Sequence, residues 1–279
     1  MDKVAQQALL RFGEHMFEFR DFDTTQITIS CDFPMLKAVD IRPDNLISDK
    51  EARRLAKLGV ETENTAVHFF LPDGRLNTVE NTIWTGMTAY HAPSGVWEDV
   101  SRFKGRDATR QYRLKCSKRY SEYLEVLRRY QAVCSADFSM YSNWSDPTNV
   151  FNAQRNRMIG HVFQKEGLNV IPTLSWSGKR TYQYAFLGVE PGGTYAISCI
   201  GCNDNNKYRR EKSLDDYRDA VKCITEKLSP IRLLVYGSGI VPDADYGNAE
   251  VLPFQNQETV RGNEAKAKKR RSKNGEEKA

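Results

Sequence analysis

Residues 131–164, QAVCSADFSMYSNWSDPTNVFNAQRNRMIGHVFQ, decide the fold. They read as an apolar strand at 132–134, a polar turn around Asp137, and a helix capped by Asp146, opened by Pro147 and closed by Gly167. Proline suits a first helical turn because the N–H it lacks would be unpaired there anyway. Downstream, residues 169–174 (NVIPTL), 195–200 (YAISCI) and 231–236 (IRLLVY) are further apolar runs, each with a polar exit. Upstream, residues 65–71 (TAVHFFL) form another, closed by the turn signal Pro72-Asp73-Gly74. Strands apolar on both faces belong to parallel sheets covered by helices. The expected class is therefore α/β, (β/α) barrel-like, complete or incomplete, with parallel strands and a site at the C-terminal rim. An open doubly wound sheet is the alternative.

The intervening segments are mostly helical by pattern. Tyr120, Tyr123, Leu124, Leu127 and Tyr130 form one stripe, and Leu214, Tyr217, Val221, Ile224 and Leu228 another. Ser213 and Asp216 look like a capping box for that last helix, with Pro230 just beyond it. A short helical piece is expected over 181–187 and a small helix over 48–58. Residues 26–31 (QITISC) alternate as a strand, and the phenylalanines of residues 1–25 suggest a short helix before it. Residues 75–115 hold neither period and read as an insertion or lid. The organisation expected is one α/β domain over 1–247, then a polar, basic, disordered tail over 248–279.

Composition limits the function classes. With 40% apolar and 28% charged residues, the chain is ordinary for a globular protein. It has no long apolar run, so neither a membrane span nor a membrane partner is expected. The N-terminus lacks the pattern of a secretory leader. The six cysteines are scattered through apolar runs, as reduced thiols are in a cytoplasmic protein. The net charge of +5 resides in the tail KAKKRRSKNGEEKA, and without it the chain is close to neutral. Lys268, Lys269, Arg270 and Arg271 within that tail form a candidate nucleic-acid contact.

The polar groups sit where the strands end. Residues 135–141 (SADFSMY), 175–177 (SWS), 201–204 (GCND) and 237–239 (GSG) would meet at one rim of a parallel sheet. Asp137 and Arg155 are the candidate catalytic pair: Asp137 as acid, base or anchor, Arg155 as its cationic partner. Arg155 falls on one helical face with Phe151, Met158 and Val162, and a guanidinium in an apolar stripe must find an anion or carbonyls. Arg157 points elsewhere and is expected in solvent. His68, Ser139, Tyr141, Asn152, Trp176, Ser198 and Tyr236 complete the candidate ligand-binding set. Cys199-Ile200-Gly201-Cys202 reads as two packed thiols, since a lone C-x-x-C without nearby histidine is a weak metal signal. No metal is assigned, and the cofactor is left open. No H-E-x-x-H, G-x-S-x-G, P-loop or kinase pattern is present.

The strings SADFSMY, FNAQRNRMIGHVFQ-x-x-G-x-x-VIPTLSW, ISCIGC and LLVYGS, with VHFF upstream, resemble a family of uncharacterised bacterial and phage proteins, a domain of unknown function. Its pattern is roughly D-F-S-x-Y, N-x-x-R-x-R, V-I-P-x-x-x-W and V-Y-G, over about 65–75 and 120–240. Ala136 stands where the family has proline, Phe151 where it has tryptophan, and Cys199 where it often has a small hydroxyl residue. The resemblance implies a source in bacteria, bacteriophages or their mobile elements, and implies no particular activity. Two functions are carried forward. One is an enzyme or ligand-binding barrel for a polar, nucleotide-like or nucleic-acid substrate. The alternative is a non-catalytic accessory protein that binds nucleic acid or a host protein.

Overall fold

The structure, a computed structural model, describes residues 17–22, 27–31, 33–46, 57–59, 66–69, 78–91, 108–202, 206–237 and 239–255. Seven strands run parallel in two sheets. The first is ordered β3 (Asn45–Leu46), β4 (Ala66–His68), β5 (Ala132–Cys134), β6 (Val170–Ile171). The second is β7 (Thr194–Ser198), β8 (Arg232–Gly237), β9 (Glu250–Gln255). A single parallel bridge, Thr173 with Ala196, links β6 to β7. The Leu174 N–H donates to the Ala196 carbonyl at 2.8 Å, and the Ala196 N–H to the Pro172 carbonyl at 2.9 Å. Pro172 has no N–H of its own, which shortens the β6 ladder.

Among the described residues five α-helices accompany the strands: α1 (Thr78–His91), α2 (Ala108–Leu127), α3 (Asp146–Lys165), α4 (Tyr182–Ala185) and α5 (Lys207–Leu228). No described helix is long and apolar enough to cross a membrane.

Both faces of the central strands β4 to β8 are buried, which explains the unbroken apolar runs. On one face Val133 packs with Ile83 and Met87 of α1, Tyr120 and Leu124 of α2, and Ile159 and Phe163 of α3. Leu233 and Val235 pack with Ala220, Val221 and Ile224 of α5. The opposite face gathers Val67, Ala132, Cys134, Ile171, Ala196, Leu234 and Tyr236, from strands of both sheets. Phe69 stacks on Tyr236 with centroids 5.3 Å apart and lies 6.0 Å from Phe254 on β9. Among the described residues no ladder joins β9 back to β3, so the parallel α/β architecture is present without a hydrogen-bonded closed barrel.

Several expectations are corrected. Residues 17–22 form strand β1 (Phe17–Phe22), paired antiparallel with β2 (Ile27–Cys31), rather than part of a helix. The alternation Phe17-Glu18-Phe19-Arg20 is a period of two, which outweighs the aromatic content. The segment 75–115, read as irregular, contains α1 and the start of α2. Its stripe was hidden because buried Glu80 shares a face with Ile83 and Met87. Helix α5 begins six residues before Ser213, with Asn206 as its cap accepting from the Arg209 N–H. The N-cap position of helix α3 is Ser145, one residue before Asp146, and its side chain makes no capping hydrogen bond. The domain boundary at 247 falls short of β9, whose Pro253 suits an edge strand needing no N–H on its open side. The helix expected over 48–58 lies almost wholly outside the described residues, and the tail from 256 onward wholly so.

Candidate functional site

The exit of β5 is built by helix α3. Asn149, Asn152 and Asn156 sit at i, i+3 and i+7, on one face of that helix. Asn156 Oδ1 accepts from the Phe138 N–H at 2.7 Å, and its Nδ2 donates to the Phe138 carbonyl. Asn152 Nδ2 donates to the Ser139 carbonyl at 2.6 Å. Asn149 accepts from the Tyr141 N–H at 3.1 Å and donates to its carbonyl at 3.0 Å. Three side-chain amides thus stand in for a neighbouring strand and hold 138–141 extended after the sheet hydrogen bonds stop. Gly160 lets α3 come close enough, since a Cβ there would meet Leu36 Cδ1 at 2.9 Å and Ser135 Cβ at 3.1 Å. Asn156→Ala should cost roughly 1–3 kcal/mol, because it leaves the buried Phe138 N–H unpaired. Urea unfolding followed by far-UV circular dichroism measures that cost.

The exits of β5 and β6 are tied together. Ser135 Oγ accepts from the Thr173 N–H at 2.8 Å, and Thr173 Oγ1 donates to the Ser135 carbonyl at 2.7 Å. Two residues along each strand, Ser175 Oγ donates to Asp137 Oδ1. Burial raises the Asp137 carboxyl above the usual carboxylate range, opposed by that hydrogen bond and by the charge of Arg157.

Arg157, expected in solvent, is only 2% exposed. Its Nε donates to the Leu187 carbonyl at 2.9 Å, Nη1 to that of Thr173 at 3.0 Å, and Nη2 to that of Ala185 at 2.7 Å. Burial lowers its pKa to about 10, so it stays charged at neutral pH as the cation nearest in effect to Asp137.

Arg155 is not that cation: no ion pair joins it to Asp137 among the described residues. Its guanidinium lies over the Phe138 ring at 3.3 Å from the centroid, with Phe151 at 5.3 Å. Nη1 donates to Asn81 Oδ1 of α1 at 3.4 Å. Burial lowers its pKa to about 10, and the charge that opposes this shift is Glu80 of α1. The apolar stripe read from the sequence is where Arg155 lies. The acidic group that acts on it, Glu80, lies on α1, a helix that the pattern of 75–115 does not reveal.

Between the exits of β5, β6 and β7 and the side of α5 lies a cavity of about 450 Å³. Asp137, Ser139 and Tyr141 line it from the β5 exit, Ser175, Trp176 and Ser177 from the β6 exit, and Ser198 and Cys202 from the β7 exit. Ser213, Asp216 and Tyr217 line it from α5. Trp176 is braced by Tyr217 and Phe186, with centroids 5.7 and 6.3 Å away. Tyr182 donates its hydroxyl to Asp216 Oδ1 at 3.0 Å, which orients that carboxylate.

The cavity therefore brings together Asp137, Ser139, Tyr141, Trp176 and Ser198 of the expected set. Arg155 is outside the lining. So is Asn152, whose amide is committed to the Ser139 backbone. His68 packs edge-on against Tyr130 at 4.9 Å, and Tyr236 stacks in the core on Phe69, so neither lines the cavity. The α5 contribution was missed because Ser213 and Asp216 were read as the helix's capping box, whereas the helix begins at Lys207 and leaves both in its interior. Ser213 and Asp216 precede Tyr217 at i−4 and i−1, and a polar pair flanking the apolar stripe was the available signal.

Cys199 and Cys202 are not linked by a disulfide. Cys199 packs so close to the β8 exit that a Cβ on Gly237, at φ 141°, would sit 2.6 Å from its Sγ. Burial pushes the Cys202 thiol up to about 12, which leaves it a poor nucleophile. Among the described residues no group of three or more His, Cys, Asp or Glu could hold a metal ion.

The chain is 31% identical to the Gene 1 protein of Mycobacterium phage L5 over 114 residues, which are 41% of this chain and 48% of the phage protein. It is 31% identical to the Gene 1 protein of Mycobacterium phage D29 over 115 residues, 40% of this chain and 41% of that one. The matches thus span half or less of these relatives. No solved structure matches the chain significantly. The model of the domain of unknown function DUF4417 matches residues 112–255, from helix α2 through β9, just over half of the chain and including the asparagine face, Arg157 and the cavity. This protein belongs to the DUF4417 family, with relatives among mycobacteriophage proteins.

Proposed function

We propose that the cavity at the strand exits is the working site and that it takes a planar, polar ligand without net negative charge. The observation that carries this reading is the chemistry of the lining. It offers two carboxylates, Asp137 and Asp216, five serine hydroxyls and a braced indole, with no Lys, Arg or His. Such a wall repels phosphate and carboxylate groups and suits amino, amide and hydroxyl groups on a flat ring, as in a nucleobase or nucleoside. Asp137 is the anchor and the group fitted to handle a proton, being raised by burial and hydrogen-bonded to Ser175. Trp176 is the stacking surface.

The parallel strands support a barrel-like curl around the inner apolar cluster, with Phe69 of one sheet against Phe254 of the other. That curl brings the strand exits to one rim, where the cavity opens.

The test is calorimetric titration of the four common ribonucleosides and their free bases. At least one should bind, and Asp137→Asn should weaken it at least tenfold while leaving the melting temperature within a few degrees. Binding unaffected by Asp137→Asn and by Trp176→Ala would place the ligand elsewhere.

A further inference from the structure

We infer that the ligand of this cavity is presented as one nucleotide of a single-stranded nucleic acid, with the base inside and the neighbouring backbone on a rim edged by Arg209 and Arg210. The inference rests on the cavity reading above and adds the polymer to it.

Helix α5 connects the inside of the cavity to its edge. Ser213, Asp216 and Tyr217 face the cavity. Counting back by three and four residues along the same helical face leads to Arg210 and Arg209, roughly 5 Å nearer the N-terminal end of α5. Neither guanidinium makes an ion pair among the described residues, whereas nearby cations are engaged. Lys179 is paired with Asp219 at 2.8 Å, Arg180 with Asp146 at 2.9 Å and Arg218 with Asp215 at 2.9 Å. Lys207, beside them, is only loosely paired with Glu211 at 3.9 Å, and Tyr208 is 75% exposed. A helix opening Lys-Tyr-Arg-Arg thus sets two arginines without an ion pair among the described residues, and an exposed ring, at the edge of a cavity lined by no cation.

The opposite edge is aromatic. Tyr141 and Trp144 are 38% and 39% exposed, with ring centroids 4.5 Å apart. Their loop is pinned, because Arg180 donates to the carbonyls of Ser142 and Trp144 and pairs with Asp146. Two half-exposed rings on a fixed loop form a stacking platform beside the cavity, the arrangement that single-stranded nucleic acid uses for successive bases.

The charge pattern sorts the parts of a nucleotide. Asp137 and Asp216 exclude phosphate from the interior, and Arg209 and Arg210 accept it outside. A duplex buries its bases in the stack and would have to extrude one to use this cavity, so a single strand is the committed partner.

The experiment uses the full chain, its basic tail intact, and a fluorescein-labelled dT12 in an anisotropy titration from 50 to 200 mM salt. A 12-base-pair duplex and the free nucleosides serve as the other two arms. The expected result is single-strand binding at least tenfold tighter than both the duplex and any nucleoside. The R209A/R210A double variant should weaken it about tenfold or more and reduce the salt slope by roughly one, since each phosphate contact contributes about 0.7 for single strands. R209K/R210K should recover most of the salt slope. Nucleoside affinity should stay as in the wild type, showing an intact cavity. If R209A/R210A leaves dT12 affinity and salt slope unchanged while nucleosides still bind, the polymer inference is overturned and the cavity reading stands. If neither nucleosides nor dT12 bind, both are overturned.

Discussion

Replacing Arg157 with leucine should destabilise the protein by roughly 3–5 kcal/mol. The guanidinium is buried and its donors engage three backbone carbonyls, those of Thr173, Ala185 and Leu187. Those carbonyls belong to the β6 exit and to α4 with the loop behind it, so one side chain from α3 ties three elements together. Leucine fills much of the volume but leaves all three acceptors without that donor, and Asp137 loses the positive charge that opposes its raised pKa. For a domain of this size each kcal/mol shifts the midpoint by about 2–4 °C, so the melting temperature should fall on the order of 10 °C. Arg157→Lys should recover only part of the loss, since one ammonium lacks the planar fork that reaches three separated oxygens. Differential scanning calorimetry and urea melts would decide the matter, and a leucine variant within 1 kcal/mol of wild type would show that the carbonyls find other donors.

The second large effect is a pH dependence centred on Glu80. The side chain is 1% exposed, its Oε1 has no hydrogen-bond partner, and burial raises the carboxyl from 4.5 to about 8. The Asp137 charge adds to the rise, while a hydrogen bond from the backbone at Glu80 itself and the Arg155 charge oppose it. The proton is thus held more tightly in the folded chain than in the unfolded one. The stability this supplies is complete below about pH 4.5 and is lost as the pH rises through 8. At pH 7 the loss amounts to about 3 kcal/mol by linkage, an order-of-magnitude figure. Glu80→Gln, which is neutral throughout, should be more stable than wild type at pH 8 by a few kcal/mol, with the difference shrinking by pH 5. Urea midpoints at half-unit pH steps would show it. A constant offset between the two chains across that range would mean that Glu80 does not titrate there. Asp137 shifts in the same direction, so Asp137→Asn in the Glu80→Gln background should remove residual slope.

Strands β4 to β8 were readable from the chain because they are apolar runs, whereas β3 and β9, which are only partly buried, were not. Helix α1 was missed because it places the polar Glu80 on its inward face, so apolar periodicity understates it. Helix α5 was found by its stripe, but its start was set too late because Ser213 and Asp216, which face the cavity, look like a cap. Helix α3 shows the limit most clearly. Asn149, Asn152, Asn156, Arg157, Ile159 and Phe163 are all buried, so the helix has several inner faces at once. One hydrophobic stripe then says little about which arginine goes inward. Arg155 was chosen from its apolar neighbours, and it does lie over Phe138 and Phe151. Arg157 was assigned to solvent and is the more deeply buried of the two.

The sequence by itself determined that parallel β/α units follow one another here and that their polar exits share one end of the sheet, since both follow from local patterns along single strands. It thereby placed Asp137, Ser139, Tyr141, Trp176 and Ser198 at one rim, where the cavity gathers them. Only the tertiary structure decided the partners across that rim: Ser175 and the charge of Arg157 for Asp137, Glu80 for Arg155, the asparagine face for residues 138–141, and Asp216 for the far wall. Those partners are separated by tens of residues in the chain. Their pairing depends on how helices settle against the sheet, a packing outcome that no local period encodes.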